Sequence, residues 1–183
     1  MNNKVRATSF YSEYHGHKVR DLERVYAALR PNCESMIWTA GDSTLDNKYW
    51  FSDNRPAVGA YQEVLDPPIS NADVTFWLNK LSLDGRNNGN RLAAINTAVE
   101  ATTLNERTFH LRSQDKFLRD NIGPNDILVV SVGGNDIALA PLPMTICSIV
   151  GLICMPSSCL ENTCAGPTVP VRTQRVLALR TLR

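Results

Sequence analysis

Met36-Ile37-Trp38-Thr39-Ala40-Gly41-Asp42-Ser43-Thr44-Leu45 is an apolar run that breaks at a glycine and then turns polar. The run predicts a strand, and the residues after Gly41 predict a turn that opens a helix. A serine there is chemically useful. Its hydroxyl projects from the end of a sheet, and a helix N-terminus offers backbone N–H groups and a positive dipole end to a developing oxyanion. Two further apolar runs, 91–96 and 126–132, predict a second and a third strand. The continuous apolar run Leu92-Ala93-Ala94-Ile95 suits a strand buried on both faces. Helical patterns lie between and before them. Val19, Leu22, Tyr26 and Leu29 place a helix over 17–29, stopped by Pro31. A short helix is expected over 56–65. Val74, Trp77, Leu78 and Leu81 form the inner stripe of another, with Ser70 and Asp73 as a capping box. A polar helix is expected over 108–121, facing inward through Phe109, Leu111, Phe117 and Leu118. The 84–90 stretch reads as a turn-rich loop.

Strands alternating with helices imply right-handed crossovers and a parallel sheet. With the order second, first, third, the loops after the first and third strands meet at a switch point, where α/β sheets bind ligands. Those loops hold Ser43 and Gly133-Gly134-Asn135-Asp136.

Gly41-Asp42-Ser43 and Gly133-Gly134-Asn135-Asp136 together resemble blocks I and III of the GDSL, or SGNH, hydrolases. The resemblance covers 35–136, about half the chain. It implies an α/β three-layer α/β/α sandwich on a flavodoxin-like parallel sheet, and hydrolysis of an acyl ester or thioester through an acyl-enzyme. Ser43 matches the nucleophile, whose N–H is one oxyanion donor. Asn96-Thr97-Ala98-Val99-Glu100-Ala101 falls at block II and puts Ala101 where the family has a glycine. A backbone donor survives that change provided Ala101 needs no positive φ. Asn135 matches the amide donor of block III. The resemblance implies no cofactor and no metal, and a small-molecule, lipid or carbohydrate ester as partner. The family's late Asp-x-x-His is absent and no histidine follows His110. The chain therefore reads as cut short on the C-terminal side of the sheet and impaired as an enzyme. The alternative is a non-catalytic SGNH-like binding domain or an inactive fragment.

Each motif also has a plain structural reading. Ser43-Thr44-Leu45-Asp46 fits a capping box, Gly133-Gly134-Asn135-Asp136 fits a turn and cap, and Asp42 and Asp136 fit turn-stabilising carboxylates. His15 and His17 read as a loop before the first helix, and His110 as a surface or boundary residue.

Composition adds limits. The 183 residues are 43% hydrophobic and 20% charged, with net charge +1. Nothing there attracts nucleic acid or an anionic membrane. No secretory signal opens the chain, so a cytoplasmic location is the default expectation. The organisation expected is an N-terminal extension with one helix over 1–34, an SGNH-like core over 35–140, and a Cys-rich apolar segment with a basic tail over 141–183. Cys147, Cys154, Cys159 and Cys164 match no zinc spacing and read as reduced thiols. The apolar 144–155 stretch is too short to span a membrane and reads as a buried hairpin, a substrate-side lid, or a packing segment.

Overall fold

The structure, a computed structural model, describes residues 4–84, 92–139 and 143–154. Of the loop expected over 84–90, Asp84 ends a helix and 85–90 lie outside the described residues, as do Cys159, Cys164 and the arginine-bearing tail. The chain divides into two units, Met1–Val132 and Gly133–Arg183.

The first unit opens with β1 (Val5–Arg6), α1 (Ala7–Tyr11) and α2 (Val19–Leu29), followed by β2 (Ser35–Gly41). After β2 come β3 (Asn54–Pro56), α3 (Tyr61–Val64), β4 (Leu65–Asp66), β5 (Ile69–Asn71) and α4 (Val74–Asp84). It ends with β6 (Leu92–Asn96), α5 (Ser113–Asn121) and β7 (Ile127–Ser131). Its principal sheet has the order β6-β2-β7 and is parallel throughout. This is the expected second-first-third arrangement, in a mixed α/β fold.

β2 is the central strand and is buried on both faces: Met36 and Trp38 are wholly buried on one, and Thr39, donating to Asn96 Oδ1 at 2.8 Å, on the other. Trp38 packs in an aromatic triangle with Tyr26 of α2 and Phe117 of α5, at centroid distances of 5.7–6.0 Å. Leu22, Val25 and Leu29 of α2 close the same core, which also takes in Val5 and Phe10. Asp126 fixes the register of β7 on β2. Its carboxylate accepts hydrogen bonds from Met36 N, Trp38 Nε1, Gly123 N and Arg30 at 2.8–3.0 Å. Burial pushes this carboxyl up, but those bonds outweigh it and hold it below the ordinary value.

Four expectations are corrected. The helix over 56–65 shrinks to α3. Gly59 at φ +57° interrupts it, and Asn54–Pro56 pairs with β5 as an antiparallel ribbon. Pro56 is tolerated there because it ends the ribbon, where no ladder N–H is missed. The stripe on α4 faces the other way: Trp77 is 41% and Leu81 63% exposed, while Thr75, Phe76 and Asn79 are buried. Asn79 sets that rotation. Its amide accepts from Ala94 N at 2.9 Å and donates to Ala94 O at 3.0 Å, so a side chain satisfies the open edge of β6. The helix over 108–121 begins only at Ser113, leaving Phe109 81% exposed. Asp73 itself caps α4, accepting from Phe76 N at 2.7 Å, in place of the Ser70–Asp73 box.

In the second unit α6 (Gly134–Ala138) follows Gly133, whose φ of +106° suits only glycine. α7 (Pro143–Cys154) is a helix where a hairpin was one expectation, and it exposes Ile146, Val150 and Ile153. No described helix is long and apolar enough to cross a membrane.

Two outcomes are expected from this fold. Burial raises the Asp73 carboxyl to about 6. The folded state therefore binds more protons than the unfolded chain between about pH 4 and 6. Asp73 thus costs stability at neutral pH, and that cost vanishes below the unfolded value. Asp73→Asn keeps the cap and removes the charge. It should gain about 2–3 kcal/mol at pH 7 and almost nothing at pH 4 in denaturant unfolding at the two pH values. Second, β7 is an outer strand among the described residues, and its Ile127, Leu128, Val129 and Val130 are exposed (Val130 56%). Such an edge favours self-association. Light scattering should show concentration-dependent oligomers that Val130→Lys reduces without lowering the melting midpoint.

Candidate active site

Ser43 lies one turn beyond the end of β2. Gly41 ends the strand at φ +141°, and a Cβ placed there would lie 1.8 Å from Ser131 O. Only glycine lets the chain pass so close to β7. Asp42 N then donates to Ser131 O at 3.1 Å, tying the next residue to the end of β7. The helix expected after Ser43 does not form. Asp42, rather than Ser43, stabilises the turn: its Oδ1 accepts from Thr44 N at 3.0 Å and Thr44 Oγ1 at 2.8 Å, and its carbonyl accepts from Leu45 N and Asp46 N. The capping-box reading of 43–46 is thereby replaced by an Asx turn on Asp42. Ser43 is half-buried, and its hydroxyl has no hydrogen-bond partner among the described residues.

A fully buried ion pair anchors this turn. Lys48 Nζ lies 2.5 Å from Asp46 Oδ1, and both side chains are 0% exposed. Asp46 Oδ2 accepts from Glu100 N at 2.8 Å, and Asn96 Nδ2 reaches both Asp46 Oδ1 and Leu45 O at 3.3 Å. Burial pushes the Asp46 carboxyl up, opposed by Lys48 and by the Glu100 and Gly16 amides. The turn carrying Ser43 is thus fastened to the loop leaving β6.

That loop holds Ala101. Val99 N donates to Gly41 O at 3.0 Å, and Thr97 N to Thr39 O at 2.9 Å, so the loop continues the β6–β2 ladder beyond the strands. Arg107 clamps it, donating to Thr102 Oγ1 at 2.8 Å and Gly41 O at 3.3 Å while pairing with Asp115 at 2.9 Å. Ala101 itself has φ +55°. The proviso that it avoid positive φ is not met, but the alanine takes the left-handed conformation a glycine would, so the change leaves its backbone N–H in the glycine-like arrangement at a cost in strain. Ser43 and Ala101 accordingly share the carboxyl end of the β6–β2 pair. Asn135 is the second residue of α6 in the other unit.

The three histidines separate clearly. His17 is buried and stacked on Phe10 at 3.6 Å. Burial first, and then the Lys48 charge, hold it well below the ordinary histidine range, so it is neutral. His110 is exposed. His15 sets Nδ1 3.3 Å from the Glu100 carbonyl, beside Ala101. His15 and His17 do lie in the loop before α2, as read from the sequence. Among the described residues none of the three bonds to Ser43, and no group of three or more His, Cys, Asp or Glu could hold a metal ion.

Sequence reasoning missed Asp46, Lys48, Glu100 and Arg107, the residues that hold the two loops together. Comparison with protein-family models, curated proteins and solved structures found no match.

The left-handed Ala101 gives a stability test. Removing its Cβ relieves about 1–2 kcal/mol, offset by about 0.4–1 kcal/mol of added unfolded-chain entropy. Ala101→Gly should be neutral or stabilising by about 1 kcal/mol, whereas branched Ala101→Val should cost about 2 kcal/mol or more in urea unfolding. Marked destabilisation by glycine would show that the loop does not impose this conformation.

Proposed function

We propose that this chain carries a serine ester hydrolase domain of the GDSL/SGNH type, with the three-layer α/β/α arrangement that type implies. Ser43 is the nucleophile. The N–H groups of Ser43 and Ala101 stabilise the oxyanion of the tetrahedral intermediate, and the resemblance alone adds Asn135 as the third donor. The reading rests above all on Ala101. An alanine is held at positive φ at the residue where the resemblance calls for a glycine, on a loop laid over the end of the strand that leads to Ser43. Unforced alanines avoid that conformation, and strained backbone gathers at functional sites. The parallel order β6-β2-β7, with Ser43 just beyond the carboxyl end of the central strand, adds support. A small-molecule, lipid or carbohydrate ester is the substrate, and the chemistry needs neither metal nor organic cofactor.

The reaction on this chain is slow. A serine needs an adjacent base to lose its proton at neutral pH, and no histidine bonds to Ser43 among the described residues. Enzymes lacking a triad member retain about 10³–10⁴-fold catalysis over water from oxyanion stabilisation and binding. The second reading, a non-catalytic SGNH-like binding domain, is favoured by the same unpartnered hydroxyl.

A fluorophosphonate probe separates the two. The hydrolase reading expects a slow adduct on the Ser43 peptide by mass spectrometry, absent from Ser43→Ala. It also expects p-nitrophenyl acetate turnover barely above background. No adduct on Ser43 after prolonged exposure would leave the binding domain. Brisk turnover, lost both in Ser43→Ala and in His15→Ala, would instead make His15 a relocated base and overturn the impaired-enzyme account.

A further inference from the structure

A cavity of about 460 Å³ opens between α1, the β3–β5 ribbon and the 3-10 turn Lys48–Trp50. It lies wholly within the first unit. Its volume falls in the range of small-molecule sites, about 300–1,000 Å³. Tyr11, Tyr49, Phe51 and Ile69 supply its apolar surface. Three of these, Tyr49, Phe51 and Ile69, are large hydrophobic side chains left exposed in the folded unit. Exposed apolar groups that converge on one hollow mark a binding surface more than scattered ones do.

The walls are held in place. Asn71 Nδ2 donates to Lys48 O at 2.8 Å, joining the ribbon to the turn that carries Tyr49. Trp50 Nε1 donates to Glu100 Oε2 at 3.2 Å, and Tyr14 packs edge-on against both Tyr49 and Trp50. Tyr49 therefore belongs to a fixed aromatic cluster.

The lining also selects the chemistry of the occupant. No lining residue is charged, so a phosphate, carboxylate or ammonium would be desolvated without a counter-charge. Thr8 and Ser12 line it on the α1 side and Asn54 on the ribbon side, while the Asn71 amide is held by Lys48 O. A plain alkyl chain would bury the Thr8 and Ser12 hydroxyls without giving them partners, at about 1–3 kcal/mol each. A flat heterocycle offers hydrogen bonds in one plane only, whereas these groups come from opposite walls. A pyranose ring presents C–H bonds to an aromatic face, whose π-cloud is negative, and hydroxyls around its rim.

We infer that this cavity is a binding site for one neutral sugar ring, seated on Tyr49 and Phe51 and hydrogen-bonded by Thr8, Ser12 and Asn54. The inference does not depend on hydrolysis, because a binding domain would use the same hollow.

The test is NMR titration of the full chain, wild type and Ser43→Ala, with the methyl glycosides of glucose, galactose, mannose and N-acetylglucosamine. Glucuronate, adenosine and hexanol serve as the charged, planar and alkyl probes. At least one glycoside should bind at millimolar concentration, equally in both proteins, with shifts centred on Thr8, Ser12, Tyr49 and Phe51. Tyr49→Ala and Phe51→Ala should each weaken it tenfold or more while both variants keep the dispersed NMR spectrum of the folded chain. Failure of every glycoside to bind would overturn the assignment. So would tighter binding of glucuronate, adenosine or hexanol, shifts centred elsewhere, or glycoside binding indifferent to both variants. Loss of Ser43 labelling with glycoside binding intact would fail only the hydrolase reading.

Discussion

Asp46 and Lys48 form an ion pair with no exposure to water, and the candidate site is assembled around it. Burying two charges is expensive, and their attraction repays that cost only when the remaining polar atoms are also satisfied. On the Asp46 side they are: Glu100 N and Asn96 Nδ2 take up its other lone pairs. The pair therefore does more than join two neighbours in sequence. It fastens the turn after β2 to the loop after β6, so the Ser43 and Ala101 segments are fixed relative to each other. An apolar pair of similar size could fill the same volume. It would lack the directional bonds that give the two loops a single arrangement.

The backbone around this pair is crowded. Gly41 passes so near Ser131 that no side chain fits, Val99 and Asp42 bind the ends of the flanking strands to β2, and Arg107 spans Gly41, Thr102 and Asp115. Strain at Ala101 persists because this framework over-determines the loop. The same framework accounts for a serine hydroxyl left without a partner at the end of a buried strand. Whether it serves hydrolysis or binding, the geometry is set by interactions that do not touch Ser43 itself.

Much of the sheet was legible in the sequence. Continuous apolar runs marked β2, β6 and β7, and the interposed helices dictated their parallel order. What failed was local. The stripe of Val74, Trp77, Leu78 and Leu81 has helical period, yet α4 is rotated because Asn79 binds the open edge of β6, and no hydrophobicity pattern encodes an amide acting as a strand. The 56–65 stretch looked helical until Gly59 and the Asn54–Pro56 pairing divided it; strands of two or three residues are too short to show a period. In the site, Ser43 could be picked out from its place at a strand end. The Asp46–Lys48 pair could not, since two charged residues in a polar stretch ordinarily signal solvent. The Ala101 position was legible only as a substitution for glycine, and its positive φ needed the structure.

A double-mutant cycle on Asp46 and Lys48 tests this account most directly. Asp46→Asn and Lys48→Met should each lose about 3–5 kcal/mol in denaturant unfolding, because each strands a buried charge. The double variant should lose well under the sum of the two single losses, the shortfall being a coupling of about 2 kcal/mol or more. Additive losses, or single variants within about 0.5 kcal/mol of wild type, would mean that water reaches the pair and that it does not hold the Ser43 turn to the Ala101 loop.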